Sequence, residues 1–212
     1  VTPAIKAAPS SKVSKSRPGV DVGVEGTTPK PWTTDQAFLN KVKSVAKGLN
    51  FKPIDLLGVM NFETVRTFNP AIPNPIPGSS AVGLIQFTNA AVKTITAGKL
   101  LKSASLSYMS RVQQMDYVDK YFVFYGWGGG GPTATLTNIY MTVFLPAYRF
   151  KDNAFVVSSK GQEYYDKNTS FDSDGLGYIT VGMIAKTVQA YKNDAIQTLK
   201  NAGLDENLEP IK

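Results

Sequence analysis

Apolar residues recur at helical spacing along most of this 212-residue chain, and that period limits the folds open to it. The repeat runs through residues 38–49, 54–64, 107–125, 136–145 and 181–199. No segment shows a convincing alternation of apolar and polar residues, the pattern of a half-buried strand. With 42% hydrophobic residues, the chain can bury a sizeable core. We therefore predict a mainly α-helical fold.

Helix-start signals place several boundaries. Thr33 followed by Gln36 matches a capping box, and Pro53 stands where a first helical residue is favoured. Thr88 or Asn89 is predicted to cap a short third helix.

The N-terminal segment differs in composition from the rest of the chain. Residues 1–32 are rich in Pro, Ser, Thr, Lys and Gly and contain few large apolar residues. Such a segment cannot bury enough surface to offset its ordering entropy. We predict a flexible basic arm over residues 1–32 and a folded domain over residues 33–205. The lysines of the arm are either solvated linker charges or contacts for a partner.

The chain has no cysteine and no histidine, which excludes several kinds of active site. This composition rules out Ser-His and Cys-His nucleophiles, the usual zinc ligands and disulfides. The side chains that remain for proton transfer are carboxylates, Tyr and Lys. A net charge of +7 predicts an acidic partner, such as nucleic acid or a bacterial cell wall. No apolar run has the length of a transmembrane helix, and no secretory signal is recognised.

Glu63 is the residue that most suggests catalysis. It continues the apolar stripe of Leu56, Val59 and Met60, so a helix would point its carboxyl group toward the core. Burial and the negative end of the helix dipole are both expected to raise the pKa of Glu63. A carboxylic acid with a raised pKa can donate a proton near neutral pH. The alternative is a structural glutamate that reaches water or pairs with Arg66.

The segment after Glu63 contains recognisable motifs. Residues 63–64 read Glu-Thr, residues 68–70 read Phe-Asn-Pro, and residues 79–87 read SSAVGLIQF. Between the last two, residues 69–80 hold four prolines and one glycine, so they are predicted to form an irregular loop that lines a cleft.

The order and separation of these motifs resemble the lytic transglycosylase and goose-type lysozyme superfamily, above all its phage-encoded branch. That superfamily carries Glu-Ser, Phe-Asn-Pro and a Ser-Gly-Ala-x-Gly-Leu-Met-Gln block. The resemblance implies a lysozyme-like fold and a peptidoglycan-cleaving lytic transglycosylase. Glu63 would be its single catalytic acid and base at the β-1,4 bond between N-acetylmuramic acid and N-acetylglucosamine. The candidate substrate-binding residues are Ser79, Gln86, Thr88, Trp127 and Tyr140.

Each of these binding residues also has a purely structural interpretation. By resemblance Gln86 contacts the N-acetyl sugar, but it could instead satisfy backbone groups of a turn. The resemblance also places the Tyr140 hydroxyl near the catalytic glutamate, although a buried tyrosine would need a hydrogen bond in any fold. Trp127 precedes four glycines, an arrangement that suits a stacking platform for a sugar ring.

Thr88 favours a transglycosylase over a hydrolase. Goose-type lysozymes carry an Asp two residues after the Gln of their block, where this chain has Thr88. A neutral hydroxyl cannot act as a general base for water at neutral pH. Hydrolysis stays open because Asp116 or Asp119 could supply a base if either faced the cleft.

Residues 172–180 resemble a calcium loop of EF-hand type. Asp172 and Asp174 occupy ligand positions, but Leu176 and Met183 stand where two more oxygens are required. We predict a loop that turns the chain without binding calcium tightly, and no metal or cofactor.

The resemblance to phage proteins suggests a setting. We expect a virion-associated lysin that acts on peptidoglycan strands in the bacterial cell wall or periplasm, with virion proteins as further partners of the arm or the C-terminal helix. The alternatives are an endolysin or other hydrolytic muramidase, or an inactive structural or wall-binding phage protein. Specific nucleic-acid recognition ranks last, because no nucleic-acid motif is present in the folded part.

Overall fold

Helices dominate the fold, as the helical period of the apolar residues predicts. A computed structural model describes residues 30–129, 131 and 134–211; the predicted arm, apart from residues 30–32, lies outside these ranges. The α-helices are α1 (Gln36–Leu49), α2 (Pro53–Glu63), α3 (Asn89–Ile95), α4 (Arg111–Phe124), α5 (Leu136–Phe144), α6 (Glu163–Asp166) and α7 (Val181–Asn201). Strands β1 (Val156–Ser159) and β2 (Tyr178–Thr180) form a small antiparallel sheet. Within the described ranges, no helix has the length and mean hydropathy that spanning a membrane would require.

Helix α2 runs through the centre of the fold and packs against α1, α5 and α7. All ten of its residues after Pro53 are buried. Gly58 lets α7 approach closely, because a Cβ at this position would lie 2.8 Å from Lys192 Cβ. Asn61 donates a hydrogen bond of 2.8 Å to the backbone oxygen of Tyr191 on α7. The helix that ends at Glu63 is therefore held on several sides.

Residues 70–110 form a second region, which we call the hairpin lobe. Val82 and Phe87 exchange two backbone hydrogen bonds across a tight turn. The fully buried Gln114 of α4 ties the lobe together: its amide nitrogen donates to the backbone oxygens of Pro70 (2.6 Å) and Leu106 (2.7 Å). Its side-chain oxygen accepts from Leu84 N at 3.1 Å. One side chain thus joins three parts of the lobe to α4.

The first helix starts differently from the prediction. Thr33 does not form a capping box with Gln36, because Trp32–Thr34 folds into a short 3-10 helix. Asp35 caps α1 instead, accepting a hydrogen bond from Phe38 N at 3.1 Å. Trp32 is buried against Phe68, with ring centroids 4.4 Å apart, so the folded part begins before residue 33.

The fourth helix is shorter than predicted. A 3-10 helix, Ser103–Tyr108, takes up part of the segment that was expected to begin at residue 107. Ser110 and Gln113 then form a capping box, and α4 begins at Arg111. The predictions for α2, α5, α7 and the Thr88 cap of α3 are confirmed to within a residue or two at their ends.

Candidate active site

Glu63 is the last residue of α2, and only 1% of it is exposed. Burial of this degree disfavours the ionised form of a carboxylic acid, because the charge loses its hydration. The Glu63 side chain thus lies in the interior, as the helical spacing of the apolar residues predicted. The alternative pairing with Arg66 is not found, since Arg66 forms an ion pair with Asp194 on α7 at 2.5 Å.

Three tyrosines from different elements lie close enough to Glu63 for its charge to affect their pKa values. Burial raises the pKa of Tyr140 on α5, and the charge of Glu63 raises that pKa further. Burial, followed by the charge of Glu63, also raises the pKa of Tyr164 on α6. The pKa of Tyr121 on α4 is raised by burial, by Tyr125 and then by Glu63. All three phenols therefore keep their protons at neutral pH, and the Tyr121 hydroxyl donates a hydrogen bond to the backbone oxygen of Thr142 at 3.0 Å.

Aromatic packing fixes two of these tyrosines. The ring of Tyr140 meets Phe62 edge-on at 5.1 Å and stacks on Phe144 at 5.4 Å. The ring of Tyr164 lies against the same Phe144, also at 5.4 Å. Because Phe62 precedes Glu63 on α2, this cluster holds the helix end and the hydroxyl groups in one rigid arrangement.

The chain leaves Glu63 through a strained turn. Val65, Arg66 and Phe68 all have positive φ angles, of 49°, 70° and 49°. A left-handed conformation is rare for non-glycine residues and is an outlier for a β-branched valine. Arg66 anchors the turn to α7, with its guanidinium 4.3 Å from the centre of the Tyr191 ring. Strained backbone of this kind is concentrated at functional sites.

Gln86 is buried and bonded to the backbone of its own lobe. Its amide nitrogen donates to the backbone oxygens of Ile72 (3.1 Å) and Gly83 (3.2 Å). These bonds match the structural interpretation of Gln86, in which the amide stabilises the turn. Gly83 lies directly against Gln114, because a Cβ at this position would overlap the Gln114 side-chain oxygen.

Ser79 and Thr88 are engaged in local caps. The Ser79 hydroxyl accepts a hydrogen bond from Ala81 N at 3.2 Å. The Thr88 hydroxyl accepts from Ala91 N at 3.2 Å and so caps α3. Neither bond involves Glu63.

Trp127 lies in the core rather than at a rim. It is 4% exposed, and its ring meets Phe51 edge-on at 5.0 Å. The indole N–H donates to the Thr142 hydroxyl at 3.0 Å. A ring covered in this way offers no face for a sugar to stack on, so it does not suit the stacking platform that the sequence predicted at Trp127.

The two candidate bases on α4 face helix α1. Asp116 forms an ion pair of 2.5 Å with Lys41 of α1. Burial raises the pKa of Asp119, while the charge of Lys41 opposes that shift. Both carboxylates are thus associated with the same lysine.

In the calcium-like loop, the first carboxylate, Asp172, is already hydrogen-bonded to donors of the protein itself. Asp172 accepts hydrogen bonds from the Tyr165 hydroxyl (2.7 Å) and from the backbone of Leu176 (2.8 Å) and Gly177 (2.7 Å). Asp174 is exposed and accepts from the Ser173 hydroxyl. Among the residues that the structure describes, no group of three or more acidic side chains is arranged to hold a metal ion.

Asp172→Asn is expected to lower the melting temperature at pH 7. The Tyr165 hydroxyl, with backbone N–H groups, lowers the pKa of Asp172, and burial opposes them only in part. A lowered pKa stabilises the fold above the ordinary carboxyl value of 3.8, and that stabilisation is lost as the pH falls through the folded-state value. Thermal melts from pH 7 to pH 3 should show the gap between wild type and variant closing with acid. A gap that stays constant with pH would contradict this role.

Comparisons of the chain with models of protein families, with curated proteins and with solved structures find no match.

Two important side chains were missed from the sequence. Tyr164 follows a polar stretch with no helical period, so no sequence pattern indicated that it lies near Glu63. Gln114 reads as one polar residue on an amphipathic helix, and its partners come from Pro70, Leu84 and Leu106, which are distant in sequence. Only the three-dimensional fold reveals either contact.

Proposed function

We propose that this chain is a peptidoglycan lytic transglycosylase of lysozyme-like fold, with Glu63 as its single acid and base. The observation that carries the proposal is the nearly complete burial of Glu63 close to the neutral phenols of Tyr140 and Tyr164. The resemblance of the surrounding motifs to the lytic transglycosylases supports it. A buried acid flanked by neutral hydrogen-bond donors is suited to proton transfer without a metal.

In the first step, the Glu63 carboxylic acid gives its proton to the glycosidic oxygen as the bond between C1 of N-acetylmuramic acid and that oxygen breaks. The acetamido oxygen of the same sugar stabilises the positive charge at C1. In the second step, the 6-hydroxyl oxygen attacks C1 and its proton passes to the Glu63 carboxylate. The product is a 1,6-anhydro sugar, and Glu63 regains its acid form.

The environment of Glu63 suits both steps. Burial favours the protonated acid before the first step, whereas a hydrogen bond donated by a neighbouring phenol would stabilise the carboxylate that the first step leaves. Tyr140 and Tyr164 are the best placed of the three, because the charge of Glu63 is the largest influence on the pKa of each after burial.

The proposal favours a transglycosylase over a hydrolase because hydrolysis needs a base to activate water. Thr88 caps α3 and carries no charge. Asp116 is paired with Lys41, which also acts on Asp119. None of these side chains is an attractive general base for the glycan cleft.

Substrate access needs a local rearrangement. Only 1% of Glu63 is exposed, whereas a general acid must come within hydrogen-bond reach of the oxygen it protonates. Some of the side chains that cover Glu63 must therefore move when a glycan strand binds. In the biological setting we propose, the protein is a phage virion lysin that opens the cell wall locally.

Product analysis tests the proposal directly. Purified peptidoglycan is incubated with the full chain, and the released fragments are examined by mass spectrometry. Fragments ending in 1,6-anhydro-N-acetylmuramic acid are expected. Reducing ends would instead identify a hydrolytic muramidase, and no released fragments at all would favour a wall-binding protein that lacks activity.

A further inference from the structure

Charge is distributed unevenly along this chain. Residues 64–115 contain no aspartate and no glutamate, although the whole chain has sixteen acidic residues. The same stretch carries five basic residues, which are Arg66, Lys93, Lys99, Lys102 and Arg111. Arg66 and Arg111 lie outside the hairpin lobe and pair with Asp194 and Asp35. The three lysines that belong to the lobe have no acidic residue beside them in the sequence and give it a positive surface that attracts anions.

A depression of about 380 Å³ lies where this lobe meets α4. It is lined by Ile95, Thr96, Ala97, Lys99, Leu100, Tyr117 and Lys120. None of these residues belongs to the candidate site around Glu63. The lining combines an apolar floor with two lysines.

The rim that carries Lys99 is a well-defined turn. The Thr96 hydroxyl donates to Val92 O at 2.7 Å and accepts from Leu100 N at 3.1 Å. Backbone bonds close the turn, including Lys99 N to Thr96 O at 3.0 Å. A rim tied in this way is largely formed before a ligand arrives, which lowers the entropic cost of binding.

The two lysines are available to an anion. Both side chains belong to exposed residues, and no ion pair of Lys99 or Lys120 is found in the described part of the chain. Lys120 lies with its ammonium 5.1 Å from the centre of the Tyr117 ring, which keeps it at the edge of the depression. Asp119 is the neighbouring carboxylate in the sequence, and its pKa is lowered more by the charge of Lys41 than by that of Lys120.

We propose that this depression binds a polyol-phosphate chain, the kind of anionic polymer that accompanies peptidoglycan in many cell walls. Lysine binds phosphate as a point charge, and the lining of the depression contains two lysines and no acidic residue. The carbon backbone of a polyol suits the apolar floor of Ile95 and Leu100.

Nucleic acid is the other phosphate polymer that fits the charge. Single strands are held mainly by bases stacked on open aromatic faces. Tyr117 is the aromatic residue in the lining; it is half-buried and partly covered by Lys120. A polymer without bases is therefore the better fit.

The test measures binding of a soluble poly(glycerol phosphate) of defined length to the full chain by calorimetry. Lys99→Gln combined with Lys120→Gln is expected to weaken binding about tenfold, as two charge-assisted contacts are lost. The control, Lys47→Gln with Lys200→Gln, removes the same charge from exposed sites on α1 and α7 and should change affinity less than about twofold. Melting temperatures establish that all variants are folded.

Three outcomes would overturn the proposal. One is undetectable binding by the wild type, and another is an equal loss in both double variants, which would show attraction by net charge alone. The third is equal or tighter binding of a polyglutamate or a single-stranded oligonucleotide with the same number of charges. Because the polymer is not cleaved in the proposed reaction, these results are independent of the activity of Glu63.

Discussion

Replacing Glu63 by glutamine is expected to slow peptidoglycan cleavage about 1000-fold, within the range that general acid catalysis contributes. The substitution keeps the size and shape of the side chain but removes the proton that the glycosidic oxygen must receive. Loss of turbidity of a cell-wall suspension gives the rate, and circular dichroism with a thermal melt verifies the fold.

Glu163→Gln is the matched control for this variant. Glu163 lies at the start of α6 next to Tyr164 but is exposed and pairs with Lys167 at 2.6 Å. It should retain the wild-type rate. An active Glu63→Gln enzyme would show that another group supplies the proton, and equally negligible cleavage by wild type and variant would point to a binding protein.

Lys192→Met is expected to lower the free energy of unfolding by about 3 kcal/mol. The Lys192 ammonium lies 2.7 Å from an Asp55 carboxylate oxygen, and the two side chains are 15% and 6% exposed. Removing the lysine leaves a buried carboxylate without its counter-charge, which costs far more than the pair itself contributes. Urea unfolding followed by fluorescence measures the change.

Two further variants sharpen the test. Lys43→Met breaks a more exposed pair with Glu209, whose side chain is 58% exposed, and should cost less than about 1 kcal/mol. Asp55→Asn combined with Lys192→Met removes both charges and should recover part of the stability. Equal losses for Lys43→Met and Lys192→Met would contradict the importance of burial.

Much of the helical framework could be predicted from sequence, because local signals agree with tertiary packing there. Pro53 marks the start of α2, Thr88 caps α3, and the apolar stripe of α7 is long and regular. The prediction of a capping box at Thr33 was wrong, because residues 32–34 form a 3-10 helix instead. Asp35, two residues later, is an equally good cap for the helix that follows. Short-range signals cannot rank two such starts.

The candidate site was less predictable than the framework. The inward direction of Glu63 followed from helical periodicity alone, and its burial is what the structure has. Its neighbours Tyr121, Tyr140 and Tyr164 come from three separate helices, so a local pattern cannot assemble them. Trp127 shows the opposite failure, because a tryptophan beside glycines looks exposed in sequence yet fills the core.

The left-handed turn at Val65 bears on how stability and activity are balanced in this protein. A β-branched residue in that conformation costs on the order of 1 kcal/mol or more, and glycine would adopt it freely. Selection for thermal stability alone would favour glycine at position 65. Valine has less backbone freedom than glycine, so it restricts the conformations of the chain that follows Glu63. Attempts to engineer a more thermostable version of this protein should therefore leave residues 64–68 unchanged and place stabilising substitutions on the surface of the helices.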